Sequence, residues 1–298
     1  MKFIISGATG CIGFSLIKKL VREKQEVTVI LNPNSARNVI IEAFSNVKIV
    51  YLALDSYAEN LIEGTYDVFI HMAWSGGNSR DNYEINHRSE QYSVDAIHLA
   101  NRLGCSKFIS MGSQAEYGPT NEVLTETLVC NPNTAFGLAK LTTFHRSKLL
   151  CQELGINFTW VRILSAYGPN DRSTAMIMML IRRASEGLPM ELSSCTQKWD
   201  FLHADDIANA IVMIANSSNA SNLYVVGSDE GRDLRYYVDL LASELNFDSS
   251  QYVNRVVGLG GQTIELTSNS SKIRNDLGWE PQIQFPDGAR ALIQSLLS

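Results

Sequence analysis

The fold class that the sequence predicts is α/β, with helices on both faces of a doubly wound parallel sheet. Three observations predict it. Strand-like and helix-like segments alternate through the first half of the chain, an order typical of parallel sheets. A glycine-rich turn, Gly7–Gly13, joins the first predicted strand to the first predicted helix. A glycine, Gly104 or Gly155, follows each of the two longest helical segments, and glycine commonly ends a helix.

The predicted elements follow from hydrophobic periodicity and helix stop signals. Short apolar runs predict strands in the first half at Lys2–Ser6, Val27–Leu31, Val47–Leu52, Asp67–His71, Lys107–Met111 and Asn157–Leu164. Apolar residues at helical spacing predict helices over Ile12–Glu23, Tyr83–Leu103 and Thr134–Leu154. The second half is less regular, and we predict two helices and a strand that returns to the sheet at Met176–Glu186, Asp205–Ala215 and Leu223–Val226.

Composition indicates a globular protein that binds neither nucleic acid nor membrane. Hydrophobic residues make up 45% of the 298 residues, charged residues make up 19%, and the formal net charge is -6. No long run of Lys or Arg is present, which argues against an anionic polymer or lipid surface as partner. No signal peptide and no apolar stretch of about 20 residues is found. We therefore expect a cytoplasmic protein.

The cysteines predict free thiols and no metal site. Their number is odd, and no two have CxxC or another metal-like spacing. Free thiols are typical of cytosolic proteins. The five cysteines are Cys11, Cys105, Cys130, Cys151 and Cys195.

The turn Gly7–Gly13 has the pattern of a dinucleotide-binding loop. The first glycine permits a tight turn, the second lets the backbone approach a diphosphate, and the third lets helix and strand pack closely. The amino end of the following helix offers free amides and a partial positive charge to the diphosphate. The predicted cofactor-binding residues of this loop are Gly7, Thr9, Gly10, Cys11, Ile12 and Gly13.

The end of the second predicted strand favours NADP(H) over NAD(H). An acid at this position would bind the adenosine ribose and repel a 2′-phosphate. None is present between Ile30 and Arg37, and Arg37 could pair with a phosphate; alternatively it is a solvated loop residue. NAD(H) stays possible. We also place Asn32, Asp55 and Ala73, which follow the second, third and fourth predicted strands, among the cofactor-binding residues.

Seven ordered motifs are distributed over almost the whole chain. They are GATGCIG (Gly7–Gly13), DVFIHMAW (Asp67–Trp74), KFISMGSQAEYG (Lys107–Gly118), NTAFGLAK (Asn133–Lys140), VRILSAYGP (Val161–Pro169), KWDFLHADDIANAI (Lys198–Ile211) and SKIRNDLGWEP (Ser271–Pro281). Together they resemble the extended short-chain dehydrogenase/reductase family, also called the NAD-dependent epimerase/dehydratase family. The resemblance implies a Rossmann-type sheet, a nicotinamide cofactor and a nucleotide-diphosphate sugar as substrate.

The resemblance also implies a division of the chain and an assembly. We expect a dinucleotide-binding Rossmann core over residues 1–165, with a returning segment at about 200–228. A smaller C-terminal substrate-binding lobe would take residues 166–199 and 229–298. Related proteins dimerise through two long helices, here Tyr83–Leu103 and Thr134–Leu154, so a homodimer is expected.

By resemblance, the catalytic positions are Ser113, Phe136 and Lys140. In the family a Ser or Thr positions the substrate oxygen, a Tyr is the acid or base, and a Lys lowers the pKa of that Tyr and holds the nicotinamide ribose. The family pattern Tyr-x-x-x-Lys is Phe136-Gly-Leu-Ala-Lys140 here, and a phenyl ring has no exchangeable proton. Tyr117, which also has a counterpart in the family, is expected to be structural.

Three explanations for Phe136 compete. A tyrosine was replaced by phenylalanine to trap a bound substrate; another group such as Ser113 or a water takes over the proton transfer; or the protein binds ligands without catalysis. We rank them in this order, because the surrounding residues match those of an enzyme.

The reaction expected is the reduction, by NADPH, of a 4-keto (6-deoxy) nucleotide sugar in deoxysugar or surface-polysaccharide biosynthesis. Dehydratases of the family carry acidic residues where this chain has Gln114 and Ala115, and neither can act as an acid or base. Alternation along the chain is expected to turn Glu116 away. The alternatives are an NAD-dependent 4-epimerase and a catalytically dead NADP-sensing or scaffold protein.

The resemblance assigns substrate contacts less specifically than cofactor contacts. Trp199 stands where many members have an arginine that touches the diphosphate, and Lys198, Arg172 or Arg255 could replace that arginine. His203, Asp205 and Asp206 are close together in the sequence, but we expect no metal site and interpret Asp205 as a helix cap. The expected substrate-binding residues are Trp74, Gln114, Ser165, Arg172 and Trp199.

Overall fold

The predicted fold class is confirmed by the computed structural model, which describes residues 1–59, 62–75, 79–253 and 265–297. A seven-stranded parallel sheet has the order β10-β6-β5-β4-β1-β2-β3. The strands of this sheet are β1 (Lys2–Ser6), β2 (Glu26–Leu31), β3 (Val47–Tyr51), β4 (Val68–His71), β5 (Lys107–Ser113), β6 (Asn157–Ile163) and β10 (Leu223–Val226). Four short strands pair outside it: β7 (Ser165–Tyr167), β8 (Lys198–Trp199), β9 (Phe201–His203) and β11 (Arg232–Asp233).

The helices cover both faces of the sheet and fill the second half of the chain. They are α1 (Cys11–Arg22), α2 (Val39–Glu42), α3 (Tyr83–Arg102), α4 (Ala135–Glu153), α5 (Met176–Ser185), α6 (Ala204–Asn216), α7 (Leu234–Leu245), α8 (Ser271–Leu277) and α9 (Phe285–Leu297). The sequence predicted five of them, α1, α3, α4, α5 and α6, and did not predict α2, α7, α8 and α9. The predicted bounds of these five helices and of the seven strands of the sheet differ from the observed ones by at most two residues. The largest difference is in β5, which continues past Met111 because Gly112 and Ser113 still pair with β6.

Two apolar clusters, one on each face of the sheet, hold the helices in place. On one face, α1 and α6 pack together over β1, with Ile5, Leu16 and Ile211 among the buried residues. On the other face, α3 and α4 pack together, with Ile97 and Cys151 fully buried. The burial of both faces explains why the strands are continuous apolar runs.

The strand order creates a crevice beside β1. The chain leaves β1 towards β2 on one side, and β4 pairs with β1 on the other. In open α/β sheets a ligand binds at the carboxyl ends of the strands where the order reverses. The loops after β1, β4 and β5 therefore meet at one edge of the sheet.

A third apolar cluster lies in the second half of the chain, where α5, α7 and α9 contribute Leu180, Leu241 and Leu292. The division into core and lobe stays a prediction, and part of 229–298 lies outside the described residues. The sequence did not predict the four short strands, because such brief pairings depend on distant segments. Among the described residues, no helix has both the length and the apolar composition needed to cross a membrane.

Candidate active site

The backbone of the loop between β1 and α1 lies in close contact with itself and with the backbone at Ala73. Gly7 has a φ of +79°, and a Cβ there would lie 2.5 Å from the Ala73 nitrogen. A Cβ on Gly13 would lie 2.4 Å from the Gly7 carbonyl oxygen. A Cβ on Gly10, by contrast, would meet only the Gly7 oxygen, at 3.7 Å. Gly7 and Gly13 are therefore required by the packing of the protein itself, whereas Gly10 leaves its side of the loop open.

The amino end of α1 fits an anionic ligand. Gly10 is the N-cap residue in an extended conformation, no side chain caps the helix, and its first turn contains no acid. The first amides of a helix need partners and carry a partial positive charge. Together with the open side of Gly10, they can hold the diphosphate of a dinucleotide. The residues present at this loop therefore fit the expected cofactor.

The other residues predicted for this loop lie around the same turn. Thr9 and Ile12 are half-buried, and Cys11 is buried. Burial, followed by the charges of Asp171 and Asp205, raises the pKa of the Cys11 thiol. Cys11 is therefore a neutral packing residue under ordinary conditions.

Helix α4 places positions 136 and 140 beside the end of β5. The Thr134 hydroxyl caps α4 by accepting from the Gly137 N–H at 3.1 Å. A Cβ on Gly137 would lie 2.2 Å from the Ala115 carbonyl oxygen. This contact brings α4 onto the 3-10 helix Gln114–Glu116 that follows β5.

Lys140 lies buried between β5 and Trp74. Its Nζ donates to the Met111 carbonyl oxygen at 2.8 Å and lies 3.8 Å from the ring centroid of Trp74. Burial lowers the pKa of Lys140 to about 7, although the nearby Glu116 carboxylate opposes this shift. An amine with this pKa can hold or release a proton at neutral pH.

Phe136 completes an aromatic contact at the same place. Its ring meets the ring of Trp74 edge-on, with 5.9 Å between centroids. The Phe136 N–H donates to the Arg80 carbonyl oxygen at 2.8 Å, and the Arg80 guanidinium carbon is 5.4 Å from the phenyl centroid. Lys140 Nζ is 5.8 Å from that centroid. The structure thus brings Trp74, Phe136 and Lys140 together.

A family model described as the NAD dependent epimerase/dehydratase family matches residues 3–227. The chain belongs to this family.

Relatives with 21–25% identity cover between 74% and 100% of the chain. The dTDP-glucose 4,6-dehydratase of Salmonella typhimurium is 21% identical, with 100% of this chain and 93% of the relative covered. A UDP-glucose 4-epimerase of Corynebacterium glutamicum is 22% identical, with 95% and 91% covered. A CDP-abequose synthase of Yersinia pseudotuberculosis is 25% identical, with 74% and 75% covered.

Solved structures agree on the fold. The UDP-glucose 4-epimerase of Thermotoga maritima superposes with a TM-score of 0.88 at 19% identity, with 100% of this chain and 99% of that chain covered. The UDP-glucuronic acid 4-epimerase of Bacillus cereus also gives 0.88, at 20% identity and 100% of both chains. The fold of this family member is therefore that of the extended short-chain dehydrogenase/reductases.

Ser113, which the family resemblance assigns to the position that orients the substrate, lies at the carboxyl end of β5 and is buried. Its hydroxyl accepts from the Ala115 N–H at 3.2 Å. Its backbone N–H donates to Glu116 Oε1 at 2.8 Å. These two bonds form a capping box, which fixes the hydroxyl at the start of the 3-10 helix.

Glu116 and Tyr117 have structural roles. Glu116 is fully buried, accepts from the Trp160 indole, and pairs with Arg162 at 2.7 Å. The Tyr117 hydroxyl donates to the Thr125 carbonyl oxygen at 2.7 Å and accepts from Arg162 at 3.1 Å. Both groups are already bound within the protein.

The loop after β2 contacts the second half of the chain. Arg37 is half-buried, and its guanidinium donates to the Asn170 carbonyl oxygen at 2.5 Å. Asn32 is exposed, and its side chain accepts from the Asn34 N–H. Asp55 is also exposed, on the 3-10 helix Leu54–Ser56. Arg37 therefore bridges two parts of the protein beside the glycine loop, a contact that the sequence did not predict.

Asp171 and Arg80 are charged residues near the site that sequence reasoning missed. Desolvation raises the pKa of Asp171, and the charges of Arg172 and Arg37 oppose this shift. Desolvation and then the charge of Arg172 lower the pKa of Arg80. Arg80 and Arg172 are thus close enough for their positive charges to repel each other. The glycine and proline of the motif YGP before Asn170 are a local turn signal, but such a signal does not encode what the turn contacts.

The remaining expected substrate residues are more scattered. Gln114 and Ser165 are half-buried, and Arg172 is exposed. Trp199 packs in the second half of the chain, 6.3 Å from Phe201 between ring centroids. Lys198 pairs with Asp233 at 3.4 Å, and Arg255 lies outside the described residues.

The interpretation of Asp205 as a helix cap was wrong. Helix α6 begins one residue earlier, and the His203 ring accepts from the Asp205 N–H as N-cap. Asp206 instead accepts from the backbone of Gln282 and Ile283. Within the described ranges, no three His, Cys, Asp or Glu side chains form a group that could hold a metal ion.

Proposed function

We propose that this protein reduces the 4-keto group of a 4-keto, 6-deoxy nucleotide sugar with NADPH, in deoxysugar or surface-polysaccharide biosynthesis. The observation that carries the proposal is the meeting of three features at one edge of the sheet: the open glycine loop, Ser113 and the buried Lys140. In this assignment Gly7, Gly10 and Gly13 form the diphosphate cradle. Ser113 orients the carbonyl oxygen, and Lys140 contacts the nicotinamide ribose.

Relatives within the family support a nucleotide sugar as the substrate. The names of the relatives in three organisms each contain a sugar carried on dTDP, UDP or CDP. Trp74, Gln114, Ser165, Arg172 and Trp199 are the proposed substrate contacts. Arg172 and Arg80 could together receive an anionic group of the substrate, because two neighbouring cations favour an anion.

Reduction is favoured over dehydration by the chemistry of three consecutive residues. Elimination of water needs an acid and a base beside the sugar. Gln114 and Ala115 supply neither. The Glu116 carboxylate is buried and bound by Arg162, Trp160 and the Ser113 N–H.

NADPH is favoured over NADH by the loop after β2. Asn32 to Arg37 contain no acid, and Arg37 lies beside the glycine loop. Its guanidinium could bind a 2′-phosphate while keeping the contact to Asn170, because arginine has five N–H donors. Asp55 and Ala73 complete the proposed cofactor contacts.

We also propose a cytoplasmic homodimer formed through α3 and α4. The two helices pack side by side and leave large apolar side chains exposed: Tyr83, Leu138 and Leu149. All five cysteines are free, which suits the reducing cytosol.

The test is an assay of NADPH oxidation with 4-keto-6-deoxyglucose carried on CDP, dTDP, UDP or GDP. We expect the wild type to reduce one of these substrates, and Phe136→Tyr to reduce the same one faster. Binding of NADPH without turnover by either protein would contradict the proposal and favour a sensor or scaffold, a second candidate that Phe136 itself supports. Turnover of a 4-hydroxy sugar nucleotide on retained NAD, without added cofactor, would instead indicate a 4-epimerase.

A further inference from the structure

We propose that the ammonium group of Lys140 is the proton donor of this reaction, in place of the phenol that position 136 lacks. The inference rests on the proposed function. Reduction forms a C–H bond from a hydride supplied by the reduced nicotinamide dinucleotide, which is oxidised. The C=O π bond breaks, and its oxygen takes a proton from Lys140 Nζ, leaving a neutral amine.

The other groups near position 136 cannot supply this proton. Phe136 has no acidic hydrogen. The Tyr117 hydroxyl already donates to the Thr125 carbonyl oxygen and lies against Arg162. The guanidinium of Arg80 is 5.4 Å from the Phe136 centroid, but arginine keeps its proton throughout the physiological range.

Ser113 is excluded on chemical grounds. Its hydroxyl can donate a hydrogen bond, but releasing the proton outright needs a base beside it. Glu116, the carboxylate that contacts the Ser113 backbone, is paired with Arg162 at 2.7 Å. Ser113 can therefore hold the substrate oxygen without supplying the proton.

Lys140 has the geometry of a donor. Of its three N–H groups, one donates to Met111 at 2.8 Å, and the ring of Trp74 faces the ammonium at 3.8 Å. Once the cofactor displaces the Trp74 ring, two N–H groups remain, one for the nicotinamide ribose and one for a substrate oxygen held by Ser113. Phe136 is one helical turn before Lys140 on the same face of α4, so the ammonium lies beside the position where a family tyrosine would act.

The electrostatics around Lys140 suit a proton that is held and then released. Burial disfavours the charged form, and the pKa of about 7 makes release possible at neutral pH. The Trp74 ring face favours the ammonium. The titratable groups that interact with the charge of Lys140 are Glu116 and His71. Farther out, Arg162 pairs with Glu116, and Arg80 lies over the Phe136 ring.

The first experiment measures Lys140 without any substrate. The protein is labelled with ¹³Cε-lysine, and the NMR shift of Lys140 is followed against pH, with Lys140→Met for assignment. We expect a titration midpoint near 7 for Lys140. A midpoint for Lys140 near 10, the ordinary range for lysine, would overturn the inference.

The second experiment separates proton donation from binding. Lys140→Arg keeps the positive charge but cannot release a proton. Its affinity for NADPH is measured by calorimetric titration, and turnover is compared with both proteins saturated with NADPH. Under these conditions we expect Lys140→Arg to lose turnover by about 100-fold or more. Wild-type turnover should fall as the pH rises through the NMR midpoint, because the ammonium must be protonated to donate.

The third measurement tests whether Phe136→Tyr restores the turnover that Lys140→Arg loses. With a phenol present, the proton no longer comes from Lys140 alone. Phe136→Tyr combined with Lys140→Arg should therefore retain more turnover than Lys140→Arg by itself. Equal turnover of Lys140→Arg and wild type would overturn the inference while leaving the proposed function intact. If neither the wild type nor Phe136→Tyr reduces any of the four substrates, the proposed function fails and the inference fails with it.

Discussion

The indole ring of Trp74 lies on the ammonium group of Lys140, with 3.8 Å between Nζ and the ring centroid. The indole N–H is held by Asn86 Oδ1 at 3.0 Å, and the ring also meets Phe136 edge-on. The ribose contact proposed for Lys140 needs the same ammonium group. The Trp74 ring and the cofactor would therefore compete for Lys140.

We expect binding of the dinucleotide to change the environment of Trp74. Titration of the wild type with NADP⁺ should change the tryptophan fluorescence, and the oxidised form avoids energy transfer to a reduced nicotinamide. Trp74→Phe should remove most of this change, because Trp160 and Trp279 are fully buried. Trp199→Phe is the control and should keep it. If Trp74→Phe binds NADP⁺ with the full wild-type change, the competition does not occur.

Substitutions at Gly10 and Gly13 should separate the contribution of the first loop to cofactor binding from its contribution to stability. Gly10→Ala adds a Cβ that meets no protein atom closer than 3.7 Å, so we expect a loss of at most about 1 kcal/mol in the free energy of unfolding. The same Cβ narrows the approach of a diphosphate, and the affinity for the dinucleotide should fall at least about 10-fold. Urea unfolding and calorimetric titration measure the two effects.

Gly13→Ala is the matched variant. Its Cβ would lie 2.4 Å from the Gly7 carbonyl oxygen, so it should lower the free energy of unfolding by about 1–3 kcal/mol or more. An unstable Gly10→Ala, or a Gly10→Ala with unchanged affinity, would disagree with the cradle proposed here.

Arg37 should discriminate between the two cofactors. Arg37→Ser removes a cation that could pair with the 2′-phosphate, so the affinity for NADPH should fall about 10-fold or more while that for NADH changes little. Calorimetric titration with each dinucleotide measures both values. An equal loss for NADPH and NADH would mean that Arg37 acts through its contact with the Asn170 carbonyl oxygen and not on the phosphate.

The buried pair Glu116–Arg162 should dominate local stability. Glu116→Gln leaves the Arg162 charge without its carboxylate, and breaking such a buried pair costs about 3–5 kcal/mol of unfolding free energy. Glu244→Gln breaks the more exposed pair with Arg290 at 2.8 Å and should cost at most about 1 kcal/mol. Urea unfolding compares the two variants, and similar losses would argue against a structural role for Glu116.

His71 should make the protein sensitive to acid. Burial and then the charge of Lys140 lower the pKa of His71 from 6.5 to about 3, so the unfolded chain binds the extra proton more readily. The stabilisation is fully present above pH 6.5 and is lost as the pH falls towards 3. Between pH 6.5 and 5 the loss should reach about 2 kcal/mol.

The control for this effect is the exposed His145. Urea unfolding between pH 7 and 5 should give the wild-type slope for His145→Gln and a flatter slope for His71→Gln. His71→Gln should also be less stable at pH 7, since the ring bonds Ser6 and Ser93. If the stability of His71→Gln and His145→Gln changed equally with pH, the acid sensitivity could not be assigned to His71.

The sequence by itself determined the elements of the first half and the beginning of the site. Each strand and each long helix there was predicted to within one or two residues, because apolar spacing and following glycines are local signals. The motif Gly7–Gly13 is also a local signal, and the close approach of Gly13 to Gly7 lies within it. The contact of Gly7 with Ala73, by contrast, depends on the fold. The sequence also determined that the side chain at position 136 has no exchangeable proton, because this depends only on the identity of the residue.

Only the tertiary structure decided what surrounds Lys140 and the glycine loop. Trp74 covers the ammonium because the loop after β4 meets α4, and Arg37 reaches Asn170, 133 residues away. The short strands β7, β8, β9 and β11 form in the same way. Such contacts depend on how distant segments pack against the sheet, and no periodicity along the chain encodes them. The lowered pKa of Lys140 follows from that packing, because burial and not residue type removes the water that would stabilise its charge.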